Sequence, residues 1–205
     1  MRQFTNLMKA HIPDLLLLLV ALIWGIGFSV TNDALLSGVS PSLLLALRML
    51  IPGAVFWLFF FRDINKTSVS ALFFGIKAGF FLFFGFLMQT IGMRYTTPAN
   101  SAFLTATNVV MVPFLCWLFV GRRPSARTFF LSLFCFAGMS ILSWTPAVGV
   151  SFNLGDILTI FCALGFAAHI SYLGLSGGHK ISSGAFVFCQ LMTAGIFSLA
   201  VFFLF

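Results

Sequence analysis

Few side chains in this sequence are equipped for chemistry, and each stands alone among apolar neighbours. Arg48 sits inside "LLLALRMLIPG" (43–53). A guanidinium at that depth is costly unless it faces a cavity or a partner. Its fork of donors fits a carboxylate or phosphate bidentately; the bland alternatives are snorkelling to the outer surface or binding a neighbouring helix's carbonyls. Trp24, with Gly25 and Gly27 beside it, offers an aromatic wall with room for close approach, or plain helix packing. His169 offers a proton-linked switch or a simple hydrogen bond to a neighbour, and Tyr172 shares its face. Gln89, Asn108 and Gln190 carry neutral donors and acceptors that line a pathway or hold helices together. Asn108 belongs to the most polar apolar run, "TTPANSAFLTATNVVMVPF" (96–114), where Asn100, Thr105 and Asn108 recur near one helical face. These candidates would form the walls of a binding site for a small molecule.

Other chemistries are excluded by what is missing. The chain has no glutamate, so no mechanism can use an intramembrane one. Polar residues are scattered singly, which leaves no hydrolase constellation, and no G-x-x-x-x-G-K-[ST] loop is present to hold a nucleotide. Cys116, Cys135, Cys162 and Cys189 lie in separate apolar runs, no two closer than 19 residues. That spacing fits neither a metal site nor a disulfide framework, and the four read as small buried apolar side chains. No enzyme activity, cofactor or metal is expected.

The elements that must position these residues follow from composition. Of 205 residues 60% are hydrophobic and 7% charged, against about 25% charged in a soluble domain. Such a chain cannot cover a water-facing surface, so its solvent is the lipid bilayer. A crossing helix needs about 20 mostly apolar residues. Seven runs qualify, at 14–37, 41–61, 70–92, 98–120, 127–145, 155–176 and 185–205. The first run is too long for a signal-peptide core and lacks a clear cleavage site, so it reads as a retained span. Pro13, Pro41 and Pro98 stand at helix starts, while Pro52 and Pro113 fall inside spans and should kink them. Asp14 and Asp156 each precede an apolar run, where a carboxylate caps free N–H groups. Asp33 lies near the outer end of the first helix and Asp63 in a loop. Gly75 and Gly79 form a small-xxx-small pair suited to close helix packing. The +7 net charge is dispersed between spans and implies no nucleic-acid partner.

Loop charges set the orientation. With the N-terminus cytoplasmic, the inner side carries Arg2, Lys9, Arg62, Lys66, Arg122, Arg123, Arg127 and Lys180, and the outer side Arg94 alone. Arg48 and Lys77 fall within spans. The excess of inner positive charge places the N-terminus inside.

The chain also repeats itself. An offset of 142 residues aligns Asp14 with Asp156, Ala21 with Ala163, Ser29 with Ser171, Ser40 with Ser182 and Gly53 with Gly195. The same offset sets Gly27 against His169 and Arg48 against Gln190. It spans five helices, so the second unit enters the membrane from the opposite side. That is an inverted-topology repeat. The fold expected is therefore all-α: a polytopic membrane helix bundle of seven spans, with a five-helix repeat over 1–145 and the first two helices of a second over 146–205.

The stretch "ALIWGIGFSVTNDALLSGVSPSLLLALRMLIPGA" (21–54) resembles the first two helices of EamA-type members of the drug/metabolite transporter superfamily. "RYTTPANSAFLTATNVVMVPFLCWLFVGRRPSARTFFLSLFCFAGMSIL" (94–142) is similar to their fourth and fifth helices, and "LGDILTIFCALGFAAHISYLG" (154–174) to the start of their second half. The resemblance implies two five-helix inverted repeats, ten helices in all, moving small metabolites across the plasma membrane. Against that pattern helices eight to ten are absent, and the chain reads as truncated. The leading expectation is a secondary transporter of small organic metabolites or drugs, rocking about a central site. The alternatives are a non-transporting fragment, complemented by a second copy or another chain, and a seven-helix sensor. The sensor is disfavoured by its opposite orientation and, for a retinal-type site, by the lack of a lysine in 185–205.

Overall fold

Eight α-helices and no strand occupy the residues that the computed structural model describes, namely 2–121, 123–142, 153–175 and 182–205. They are α1 (Arg2–Leu36), α2 (Pro41–Lys66), α3 (Val69–Gly92), α4 (Pro98–Ala106), α5 (Asn108–Val120), α6 (Ala126–Leu142), α7 (Leu154–Leu173) and α8 (Ser183–Leu204). Six stretches are long and apolar enough to cross a membrane, α4 and α5 together forming one of them; α6 is a shorter apolar helix. The chain is a polytopic helical membrane bundle. Arg122, Lys180 and the repeat boundary at 145/146 lie outside the described residues.

Helix starts follow local chemistry. Ser68, Thr97 and Ser182 stand in extended conformation before α3, α4 and α8, and each side chain accepts a first-turn N–H. Pro41 and Pro98 open α2 and α4, where a missing N–H costs nothing. Gly38 (φ 86°) and Gly121 (φ 74°) take the left-handed conformation that ends α1 and α5.

Three expectations are corrected. α1 begins well before Pro13, which lies inside it, so Asp14 sits within a helix rather than capping one. Asp63 belongs to the last turns of α2, not to a loop. The fourth span is not one helix: it breaks at Thr107, whose hydroxyl donates to the Leu104 carbonyl at 2.6 Å. Val110 N–H bonds back three residues to Thr107 at 3.0 Å. Pro113 lies in the second piece, and fully buried Ser171 of α7 donates to the carbonyl just before it, Val112, at 3.3 Å. Side-chain donors of this kind keep an interrupted helix tolerable in lipid.

Packing is tightest around α3, which lies against both α7 and α8, while α2 runs along α8. Lipid supplies no hydrophobic drive between helices, so close backbone approach and hydrogen bonds must hold them. A methyl at Gly79 would come within 2.7 Å of Thr193 Cβ and 2.9 Å of Gln190 Cα on α8. One turn earlier, a methyl at Gly75 would meet Cys189 Cβ at 2.7 Å. Gly165 of α7 lies against the backbone of Gly85, where a methyl would stand 2.9 Å from its Cα. The α2–α8 contact is reciprocal: a methyl at Gly53 would meet Met192 Sδ at 2.9 Å, and one at Gly195 would meet Leu50 Cδ2 at 2.6 Å. Gly53 and Gly195 are 142 residues apart, and so are Leu50 and Met192. α1 is different. Among its described side chains, from His11 on, the buried ones are Thr31 and Leu35, and residues 11–26 are exposed along every face.

Candidate functional site

The contact pairs between α2 and α8 straddle a crossing centred between Ile51 and Pro52 on one helix and Thr193 and Ala194 on the other. The two helices are antiparallel. At 1.5 Å per residue, Arg48 and Gln190 lie about one turn, ~5 Å, from that centre on opposite sides.

At the first position, Arg48 is exposed and its guanidinium lies over the Phe86 ring of α3, 5.0 Å from the centroid. Cation–π contact of this kind steadies the side chain. Its Nη2 is 3.9 Å from where a methyl at Gly27 of α1 would stand. Phe86 in turn packs edge-on to Phe166 of α7, centroids 4.9 Å apart. At the second position, His169 of α7 donates from Nε2 to Gln190 Oε1 on α8 at 2.5 Å, and Gln190 Nε2 donates to the Phe186 carbonyl at 3.4 Å. Tyr172, one turn on, stacks on Phe74 and tilts against Phe81, both of α3. His169, Tyr172 and Gln190 therefore gather where α7 and α8 meet α3, while Arg48 stands about two turns, ~10 Å, along the crossing from Gln190, against α1 and α3.

The remaining candidates lie elsewhere. Gln89, only 6% exposed, donates from Nε2 to Thr105 Oγ1 at 3.0 Å, and Thr105 lies 3.7 Å from Cys162 Sγ. This network ties α3, α4 and α7 together. Asn108 is half-buried and is the first residue after the break in the fourth span. Trp24 is 66% exposed, one turn before Gly27 on the open part of α1, and contacts none of the others. Among the described residues, no three His, Cys or Asp side chains converge as they would around a metal.

Sequence reasoning treated Asp156 as a helix cap and missed its wider role. The capping box is present: Asp156 N–H bonds to Asn153 Oδ1 at 3.1 Å and Asn153 N–H to Asp156 Oδ2 at 3.0 Å. The other oxygen accepts from Thr96 Oγ1 at 2.8 Å and from Asn100 Nδ2 at 2.5 Å. Asn100 Nδ2 also reaches Thr96 Oγ1 at 3.0 Å. The carboxylate, 3% exposed, thus clamps the α3–α4 corner to the start of α7.

A model described as the EamA-like transporter family matches residues 11–144. The chain belongs to that family. A protein named an uncharacterized transporter from Archaeoglobus fulgidus is 39% identical over 165 residues, which cover 80% of this chain and 50% of the relative. The uncharacterized transporter YvbV of Bacillus subtilis is 26% identical over 195 residues, covering 90% of this chain and 61% of the relative. This EamA-family chain thus spans about half the length of the curated relatives it matches. No solved structure matches it.

Proposed function

We propose that this EamA-family chain works in the plasma membrane, N-terminus cytoplasmic, as a secondary transporter of small organic metabolites. Its two inverted halves would meet at a central site and expose it to each side in turn. The observation that carries this reading is the reciprocal α2–α8 contact. Leu50 meets Gly195 and Gly53 meets Met192, and the offset of 142 exchanges the two pairs. A two-fold axis makes that pattern, in which residue i meets j′ and j meets i′. With no nucleotide loop in the chain, the driving force is a solute gradient. Arg48 on one side of the crossing and His169, Tyr172 and Gln190 on the other line the site; Asn108 lies in the broken span, a feature that recurs at transporter binding sites, and Gln89 of α3 reaches that span through Thr105. Trp24 joins only through α1.

Cysteine labelling tests the architecture. In a background lacking the four native cysteines, Asp14→Cys is expected to react with an impermeant maleimide from the cytoplasmic side only, and Asn153→Cys from the outside only. Reaction of both from one side would refute inverted halves. Flux is tested separately, in proteoliposomes holding a chain completed to the relatives' length. Arg48→Ala should weaken uptake of anionic metabolites and spare neutral ones.

A further inference from the structure

The two crossings related by the 142-residue offset differ in one way. In the second half, the polar side chain on α8 has a protein partner: the His169 imidazole reaches Gln190. In the first half the matching residues are Gly27 and Arg48. They meet at the same crossing, but Gly27 has no side chain, and the nearest atom to its open side is Arg48 Nη2. Where one half fills the place with its own ring, the other leaves it open in front of a guanidinium.

That guanidinium has no internal counter-ion. The chain's acids are four aspartates. Asp156 is held by Asn153, Thr96 and Asn100, and Asp14 lies near His11 at 3.5 Å. Asp33 and Asp63 fall within the last turns of α1 and α2. Among the described residues no carboxylate lies within ion-pair distance of Arg48. A cation at this depth favours an anionic partner, and beyond the Phe86 contact the guanidinium's fork of donors suits a carboxylate bidentately. Of the other described cations, Lys77 lies in the third turn of α3, as far into its helix as Arg48 is into α2, and Arg94 stands in the α3–α4 corner, its Nη2 3.5 Å from the Val39 carbonyl. The Gly27–Arg48 crossing holds one positive charge, which balances one negative charge, and the surrounding rings and aliphatic side chains suit an apolar body.

We propose that the Gly27–Arg48 crossing is an anion subsite that binds the carboxylate of a small organic monoacid, in the place the second half gives to His169. This deepens the transporter reading and rests on it for the ligand being cargo. The subsite itself lies wholly within α1, α2 and α3, so binding is measurable on this chain. The experiment is thermal unfolding of the chain in nanodiscs with benzoate, its neutral counterpart benzamide, or inorganic phosphate. Benzoate is expected to raise the midpoint and benzamide to leave it unchanged. Arg48→Gln and Gly27→His should each weaken the benzoate effect at least tenfold. Gly27→Ala should weaken it with the fold intact, since its methyl clears Nη2 by 3.9 Å. Gly25→Ala, on the same helix with nothing within 4 Å, should bind normally. Equal shifts with benzoate and benzamide, a stronger response to phosphate, no response at all in the unmodified chain, or full benzoate binding by the folded Gly27 variants would each overturn the proposal. None of these results bears on the labelling test of the inverted halves, so the two readings fail separately.

Discussion

Removing the Asp156 carboxylate should unlatch the α3–α4 corner from α7. One oxygen accepts from Thr96 and Asn100, the other from the Asn153 N–H. Hydrogen bonds to a charged group contribute about 1.5–3 kcal/mol each, and loss of a cap costs ~0.5–2 kcal/mol. Thr96 and Asn100 are half-buried, so both partly rehydrate when the carboxylate goes. This puts Asp156→Ala near the low end of the sum, at about 2–4 kcal/mol. Asp156→Asn is gentler, about 1–2 kcal/mol. Its carbonyl still serves Thr96 and Asn100, but its amide then faces the Asn153 N–H, donor against donor. The assay is unfolding in mixed micelles by titrated dodecyl sulfate. A double-mutant cycle with Asn100→Ala should give a coupling of about 1 kcal/mol or more, because the two groups touch. An Asp156→Ala variant within about 0.5 kcal/mol of the unmodified chain, or a cycle without coupling, would refute the latch.

Two further outcomes follow from the packing. Gly79→Leu should destabilise the bundle by at least ~1–3 kcal/mol, since even its Cβ would fall 2.7 Å from Thr193 Cβ, close to the α8 backbone; micellar unfolding reads the loss. Thr105→Ala should cost about 1–3 kcal/mol by stranding the buried Gln89 amide, and adding Gln89→Leu should recover much of it in the same assay, because an apolar pair leaves no donor unpaired.

Most helices were legible because apolar runs, the Ser-Pro and Thr-Pro starts of α2 and α4, and the glycines ending α1 and α5 punctuate the chain. What sequence could not resolve is which polar groups meet. Asp14 and Asp156 look alike, each opening an apolar run, yet only Asp156 caps. Three residues before it stands Asn153, whose short side chain can return the bond to the backbone; three residues before Asp14 stands His11, which cannot play that part, and the helix continues through Pro13. The break at Thr107 was hidden for a related reason. Threonine is common in membrane helices, and nothing in its type announces that its hydroxyl will turn back to Leu104. Around Trp24, residues 15–30 of α1 are apolar on nearly every side. With no polar face to mark the outside, periodicity cannot say which side is covered.

Halves identical in sequence would offer the same site to both membrane faces. Here the offset pairs a charged residue with a neutral one, Arg48 with Gln190, about one turn to either side of the crossing centre. On the proposed mechanism, rocking the halves would hydrate these positions alternately rather than together. A bare guanidinium tolerates the hydrated state and resists the closed one, and a bound carboxylate reverses that preference by cancelling the charge. The neutral His169–Gln190 pair imposes no such condition, so the electrostatic cost of closing would sit on one side of the centre only. Such asymmetry cannot set the direction of net movement, which belongs to the gradient. On that mechanism it would bias which face the empty protein shows, and the anion itself would be the group that licenses closure.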